Sequence, residues 1–405
     1  MARIVLRPLT LLVLAGALVA APAAAAAGPE ATANALGRTM RSASASSGAI
    51  AVDLDTGQTL YQLRPDTARI PASVEKLYTT STALLRLGPE ETLATSVLGE
   101  SAIAENGTLT GNLYLRGGGD PTFGTSAASQ LAGQLKSAGL RAVTGRVIGD
   151  ESAFDGRRGV PSSGYRLTSE VGPLSALSFN RGRTGRRSPY FQVSPALFAA
   201  QAFQRALRRR GIKVGRSTQT GDTPSDAVAL TEWQSPPLAE IARRTNVPSD
   251  NYMAETLIKT LGVRLRSEGS TVAGAQAVRE AMGSIGVPTR VVDGSGLSRL
   301  DRTSPRAVVT LLTRMAADPA GAALAASLPV AGRSGTLVHR MRGTAAQDRC
   351  QAKTGTLHDV SALAGYCTTT TGSHVAFAFL MNYTSYVSAR RVQDRMTVAL
   401  AKYGP

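Results

Sequence analysis

Lysine is scarce in this chain, and two of the few lysines sit in short polar motifs that lie far apart in sequence. The 405 residues hold 45 Lys and Arg together, and only six, at 76, 136, 213, 259, 353 and 402, are lysine. Ser73-Val74-Glu75-Lys76 opens a stretch in which Leu77, Thr80, Leu84 and Leu87 recur near a 3.6-residue period. That pattern predicts a helix ending at Gly88. Residues three apart share a helix face, so the Ser73 hydroxyl is set beside the Lys76 amine in the first turn. A helix N-terminus favours the negative charge that develops on an attacking oxygen there. Glu75 points away from Lys76 around the same helix and is expected in solvent.

Two further motifs complete the pattern. Ser249-Asp250-Asn251 precedes the helical run YMAETLIKTLG, and Lys353-Thr354-Gly355-Thr356 lies in a strand-like run. Each alone has an ordinary reading: a solvated Ser and Lys, an N-cap, and a charged edge strand with a glycine bulge. Their occurrence together, once each and in this order, is harder to meet by chance.

Composition narrows the setting. The first 27 residues have Arg3 and Arg7, then an apolar core over 8–20, then small residues at Ala25 to Ala27. This reads as an export signal that is cleaved, with a retained membrane anchor as the alternative. The expected location is outside the cytoplasm, secreted or associated with the cell envelope. Two cysteines exclude a disulfide-dense scaffold. Three histidines, at 339, 358 and 374, carry no metal-binding spacing, so neither metal nor cofactor is expected. His358 falls in a predicted turn and is expected at the surface. The net charge of +17 favours anionic company such as wall polymers or a membrane surface. Its clusters are Arg181, Arg183, Arg186 and Arg187, then Arg205, Arg208, Arg209 and Arg210. Nucleic acid is not expected, because no recognition motif accompanies the charge.

The trio S-x-x-K, S-D-N and K-T-G is a signature of penicillin-binding proteins and class A β-lactamases. Four longer stretches extend the likeness: RIPASVEKLYTTSTALLRLG (69–88), LYLRGGGDPTF (113–123), DGSGLSR (293–299) and AKTGTLHDVSALAGY (352–366). With these the chain resembles the D-alanyl-D-alanine carboxypeptidase/endopeptidase family of class C low-molecular-mass penicillin-binding proteins, the S13 serine peptidases. The 172 residues between Lys76 and Ser249 are far more than a compact class A β-lactamase has, and the deacylating Glu of such an enzyme has no place here.

The resemblance implies an α+β fold. Its catalytic domain is discontinuous, residues 28–95 plus 241–405, with an antiparallel sheet flanked by helices. Residues 96–240 form an inserted region, expected as two small nested domains. Residues 28–48 read as a soft lead-in. The implied activity is acyl transfer on peptidoglycan stem peptides, with β-lactams as covalent inhibitors. Ser73 attacks, Lys76 takes its proton, and Ser249 relays a proton to the leaving amine. Asn251 holds the substrate amide and positions Lys76. Lys353, Thr354 and Thr356 serve the terminal carboxylate, and Gly355 leaves room for substrate along the strand. The implied oxyanion hole is the backbone N–H of Ser73 and of Thr356. The inserted region of such enzymes helps recognise the free amine of the stem peptide, which makes Asp120 a candidate acid, against a plain turn aspartate before Pro121. Asp293 and Arg299 are expected to organise their loop. A β-lactamase and a non-catalytic wall-binding protein are the alternative functions.

Cys350 and Cys367 flank the K-T-G hairpin. If its turn centres between 358 and 359, the two stand opposite each other. A disulfide is the favoured reading, and two buried thiols are the alternative.

Overall fold

The structure is a computed structural model that describes residues 26–185 and 188–405. All but the last two residues of the expected export signal, and Arg186 and Arg187 of one basic cluster, lie outside the described residues.

The central sheet has five antiparallel strands in the spatial order Cys350–Leu357, Val360–Thr368, His374–Asn382, Ser47–Asp53 and Thr59–Leu63. Side chains alternate across a strand, and here both faces are covered. Ala362, Ala364, Ala376, Ala378, Leu380 and Ile50 face one helical layer, which contains the Lys76–Arg86 and Pro305–Ala316 helices. Leu363, Phe377, Phe379, Ala49 and Ala51 face the other, where Val392, Met396 and Leu400 of the closing Tyr386–Ala401 helix pack. Burial on both sides explains why HVAFAFLMN reads as an unbroken apolar run.

The second layer contains an element that the sequence concealed. Residues 29–40, read as part of a soft lead-in, form a helix, Pro29–Met40. Proline suits the first helical position, where an N–H would be unpaired anyway. Thr32, Leu36 and Met40, four residues apart, are buried against the closing helix. Three buried positions among three alanines, one glycine and polar residues leave little hydrophobic contrast, which is why the period did not stand out.

The chain leaves this body along Ala94–Gly99 and returns along Val228–Gln234, and these strands pair antiparallel. The inserted region thus hangs from two neighbouring strands. Leu238 already belongs to the core around the Lys76–Arg86 helix, a few residues before the expected return at 241. Two sheets form in the insertion, one of five strands and one of three. Their strands alternate along the chain, and both bury against the Thr125–Ser137 and Pro195–Arg209 helices in one apolar cluster that includes Leu115, Leu131, Val143, Phe203 and Val214. This apolar cluster spans both sheets, because the two-residue strands of the smaller sheet, such as Ala142–Val143, have too little surface to make a core of their own.

Between the insertion's strands, the described residues of 151–185 and 188–194 form an arm with little regular structure. The arm returns to the catalytic body: Val160, Val171 and Leu174 pack on Tyr252, and the Ser178 hydroxyl bonds the Tyr252 hydroxyl. Among the described residues, no helix is long and apolar enough to cross a membrane.

Candidate active site

Ser73 lies on a single 3-10 turn, Ala72–Glu75, that runs directly into the Lys76–Arg86 helix. Arg69, just before it, is buried and donates to the carbonyls of Ser46, Ser47, Arg64 and Thr67. Asn382, at the end of the third sheet strand, bonds both the N–H and the C=O of Ile70. The turn is thereby fastened to the sheet from two sides. Ala72 holds φ 48°, a left-handed conformation that a residue with a Cβ adopts only when its surroundings impose it.

The Lys76 side chain is fully buried. Its Nζ donates to Ser73 Oγ at 2.9 Å, to Asn251 Oδ1 at 2.7 Å and to the Ser295 carbonyl at 2.7 Å. An ammonium has three protons, so all are placed. Burial lowers the pKa of Lys76 to about 8, against the pull of Asp293, Glu255, Asp250 and Glu75. The neutral amine can keep its bonds to Asn251 and Ser295 and turn its lone pair to the Ser73 hydroxyl, the geometry a general base requires.

Asp250 caps the Asn251–Arg266 helix by accepting from the Met253 N–H. Ser249, the residue before it, holds φ 62°. The strained turn directs the Ser249 hydroxyl to Lys353 Nζ, 2.8 Å away. Asn251 bonds Lys76 through its oxygen and Glu170 Oε2, on the inserted arm, through its nitrogen at 3.2 Å. Arg181 on the same arm pairs with Asp250. The S-D-N turn is therefore braced from the insertion as well as by its own helix.

Lys353 stands in the edge strand Cys350–Leu357. The outer edge is covered as far as Ala352, whose N–H donates to Pro329 O, while Cys350 O accepts from Ala331. In an antiparallel strand alternate residues turn both polar groups to the same side. The polar groups of Thr354 and Thr356 therefore also turn outward, and there the edge is open. Lys353 itself is fully buried, and donates to Ser249 Oγ and to Thr354 O. Burial, then repulsion from Lys76, holds its pKa well below the usual lysine value. The Thr354 hydroxyl is engaged by Thr336 at 2.8 Å, while Thr356 is exposed.

Gly355 answers to packing. A Cβ there would fall 2.5 Å from Pro71 O and 3.2 Å from the Ala72 Cβ. The expected reason, room for substrate along the strand, gives way to close approach of the strand to the nucleophile turn. Gly296 meets the same turn from the other side: at φ 81°, a Cβ would lie 2.0 Å from Ala72 O. Cys350 and Cys367 pair across the hairpin as a disulfide with Cα atoms 4.0 Å apart. They occupy a non-hydrogen-bonded pair, the closer of the two kinds, and this brings them within bonding reach.

Beneath the nucleophile turn lies a cluster of buried acids. Asp293 accepts from the N–H groups of Ser295, Gly296 and Ser298, organising its loop as expected. Glu255, one turn after Asn251, accepts from Gly294 and Ser295. Asp301 accepts from Val292. Glu75, expected in solvent, is fully buried, and neither carboxyl oxygen has a hydrogen-bonding partner among the described residues. The reason is Gly296: its loop closes over that face of the turn and covers Glu75. Burial, then Asp293, raises the pKa of Glu75 well above the carboxylate range and that of Glu255 to about 8. Carboxyls crowded in a dry site do not all ionise, so part of the cluster retains protons below Lys76.

Asp120 does not behave as a substrate acid. It is 1% exposed, and its oxygens accept from the Thr122 N–H and hydroxyl and from Trp233 Nε1. It organises its own turn and ties it to the returning strand. The acid at the cleft is instead exposed Glu170. The cleft, of about 240 Å³, is lined by Ser73, Glu170, Ser249, Asn251, Leu297, Thr336, Arg340, Thr354, Thr356 and Arg390. Glu170, Thr336, Arg340 and Arg390 carry no motif, and only tertiary contact brings them here. The Arg299 side chain, expected to organise its own loop, instead pairs with Asp359 in the hairpin turn, and His358 is exposed as expected.

Residues 34–184 and 186–403 match the D-Ala-D-Ala carboxypeptidase 3 (S13) family. A D-alanyl-D-alanine carboxypeptidase of Actinomadura sp. (strain R39) is 31% identical over 439 residues, covering 88% of this chain and 81% of that one. The fold is that of penicillin binding protein 4 (dacB) from Haemophilus influenzae, with a TM-score of 0.79 at 22% identity over 91% of this chain and 99% of that one. The same protein complexed with a novel β-lactam gives a TM-score of 0.75 at 21% identity and the same coverage. A peptidoglycan endopeptidase of Bdellovibrio bacteriovorus aligns at 0.53 and 19% identity, over 85% of this chain and 87% of that one. With near-complete coverage by the family and the S-x-x-K, S-D-N and K-T-G residues joined in one hydrogen-bonded cleft, this chain belongs to the D-Ala-D-Ala carboxypeptidase 3 (S13) family.

Proposed function

We propose that this protein is an extracytoplasmic serine-type D-Ala-D-Ala carboxypeptidase that cleaves peptidoglycan stem peptides through an acyl-enzyme on Ser73, the atom that β-lactams also acylate. One observation carries the reading: the Lys76 amine lies 2.9 Å from Ser73 Oγ while Asn251 and Ser295 hold its other protons. In the neutral state Lys76 accepts the Ser73 proton as the oxygen attacks the penultimate D-Ala carbonyl. The outward-facing Thr356 N–H and the Ser73 N–H receive the developing oxyanion. Ser249, fixed by Lys353, delivers a proton to the leaving amine. Water then releases the acid and returns the hydroxyl.

Lys353 acts on this reading through Ser249, since its ammonium is turned inward. Glu170 takes the amine-recognising role expected of Asp120. The same acyl-enzyme on a cross-linked peptide would give endopeptidase cleavage, and products read by mass from purified peptidoglycan fragments separate the two. The export expected of residues 1–27 fits such a substrate.

Labelled penicillin tests the reading. The wild type is expected to form a stable covalent adduct, and Ser73→Ala to form none while keeping its unfolding temperature. Persistence of the adduct in Ser73→Ala would remove Ser73 as nucleophile. Absence from the wild type would favour a non-catalytic wall-binding protein, and rapid turnover of the β-lactam a β-lactamase.

A further inference from the structure

The lysine of the K-T-G motif does not line the cleft. The Lys353 ammonium is fully buried and donates to Ser249 Oγ and Thr354 O, so it offers a ligand no direct contact. Two arginines line the cleft there. Arg340, only 12% exposed at its side chain, pairs with Asp394 at 2.7 Å and bonds Gln393. Its charge is compensated within the protein. Arg390 differs: it is exposed on the closing helix and has no carboxylate partner among the described residues. Its guanidinium lies 5.0 Å from the centre of the Tyr386 ring and donates to Thr356 Oγ1 at 3.3 Å. The ring restricts its swing, and the hydroxyl aims it at the open end of the strand. Glu170 marks the other side of the cleft as acidic.

An uncompensated, oriented guanidinium beside an exposed hydroxyl is a fork for a carboxylate. We propose that Arg390 is the specificity-determining cation of this enzyme: with Thr356 it binds the C-terminal carboxylate of the substrate. This rests on the peptidase reading above. Arg390 and not Lys353 then favours substrates that end in a free D-amino acid over those whose terminus is blocked.

The test compares two peptides that end in D-Ala-D-Ala, identical except that one has a free carboxylate and the other a C-terminal amide. Each is given to the full chain as wild type, Arg390→Gln and Arg390→Lys. Arg390→Gln is expected to lower kcat/KM for the carboxylate peptide about tenfold or more, chiefly through KM. It leaves the amide peptide within about twofold, and Arg390→Lys recovers part of the loss. An equal loss for both peptides, or none for either, overturns the proposal while the wild type still cleaves. A wild type that cleaves neither peptide overturns the peptidase reading and this inference with it.

Discussion

The catalytic body and the inserted body bury charge in opposite ways. In the insertion, Asp120 and Asp150 are buried, and each oxygen has a donor close at hand. Asp120 has Thr122 and Trp233, and Asp150 has Ser152 and Thr223. These acids hold turns in shape. In the catalytic body, Lys76, Lys353, Glu75, Glu255, Asp293 and Asp301 are buried together. Several of their oxygens, both of Glu75, Oε2 of Glu255 and Oδ2 of Asp301, have no hydrogen-bonding partner among the described residues. Desolvation drives the lysines down and the acids up. A core chosen for stability alone would replace such groups with apolar side chains. The contrast teaches that the insertion uses buried polarity to define shape, while in the catalytic body burial lowers the pKa of Lys76 and the acids around it pull it back up.

Three measurements can break or sharpen that contrast. The largest effect is expected from Lys76→Ala, which should slow acylation by labelled penicillin by roughly 10²–10⁴-fold. Its unfolding temperature should not fall, because a desolvated cation is removed; a fall of several degrees would give Lys76 the same structural role as the insertion's acids. Next is the pH dependence of wild-type acylation. The reacting form is the neutral amine, so the rate should rise with pH around a midpoint of about 8, and fall about tenfold per pH unit well below it. A flat rate from about pH 6 to 9 would show that the buried acids do not hold Lys76 near that balance. The smallest effect is expected from Asp120→Ala in the insertion. It should lower unfolding free energy by about 1–3 kcal/mol, measured with denaturant, and leave acylation within about twofold. A large loss of acylation with stability intact would return Asp120 to the substrate site.

Much of the site was legible because its chemistry resides in short, local signatures. Ser73 and Lys76 meet through helix spacing alone, and Asp250 caps a helix as its residue type predicts. The disulfide followed from hairpin arithmetic, with Cys350 and Cys367 equidistant from a two-residue turn. The readings that failed had taken one segment as its own environment. Glu75 points away from Lys76 on its helix, but a loop more than 200 residues later in the chain covers it. Asp120 sits beside a glycine run in a family-like motif, yet the Trp233 indole across the insertion engages it. Residues 29–40 look soft because alanine and glycine give a weak period, and the closing helix decides their fate.

The sequence by itself placed the S-x-x-K, S-D-N and K-T-G residues at a helix start, a helix cap and a strand, since helix periodicity, capping and strand alternation act over a few residues. Tertiary structure alone decided which charges face the cleft. Lys353 turns inward, while Arg390 and Glu170 face the cleft from segments without any motif. Whether a charge is exposed or desolvated depends on every element packed around it, and no short stretch of chain contains that information.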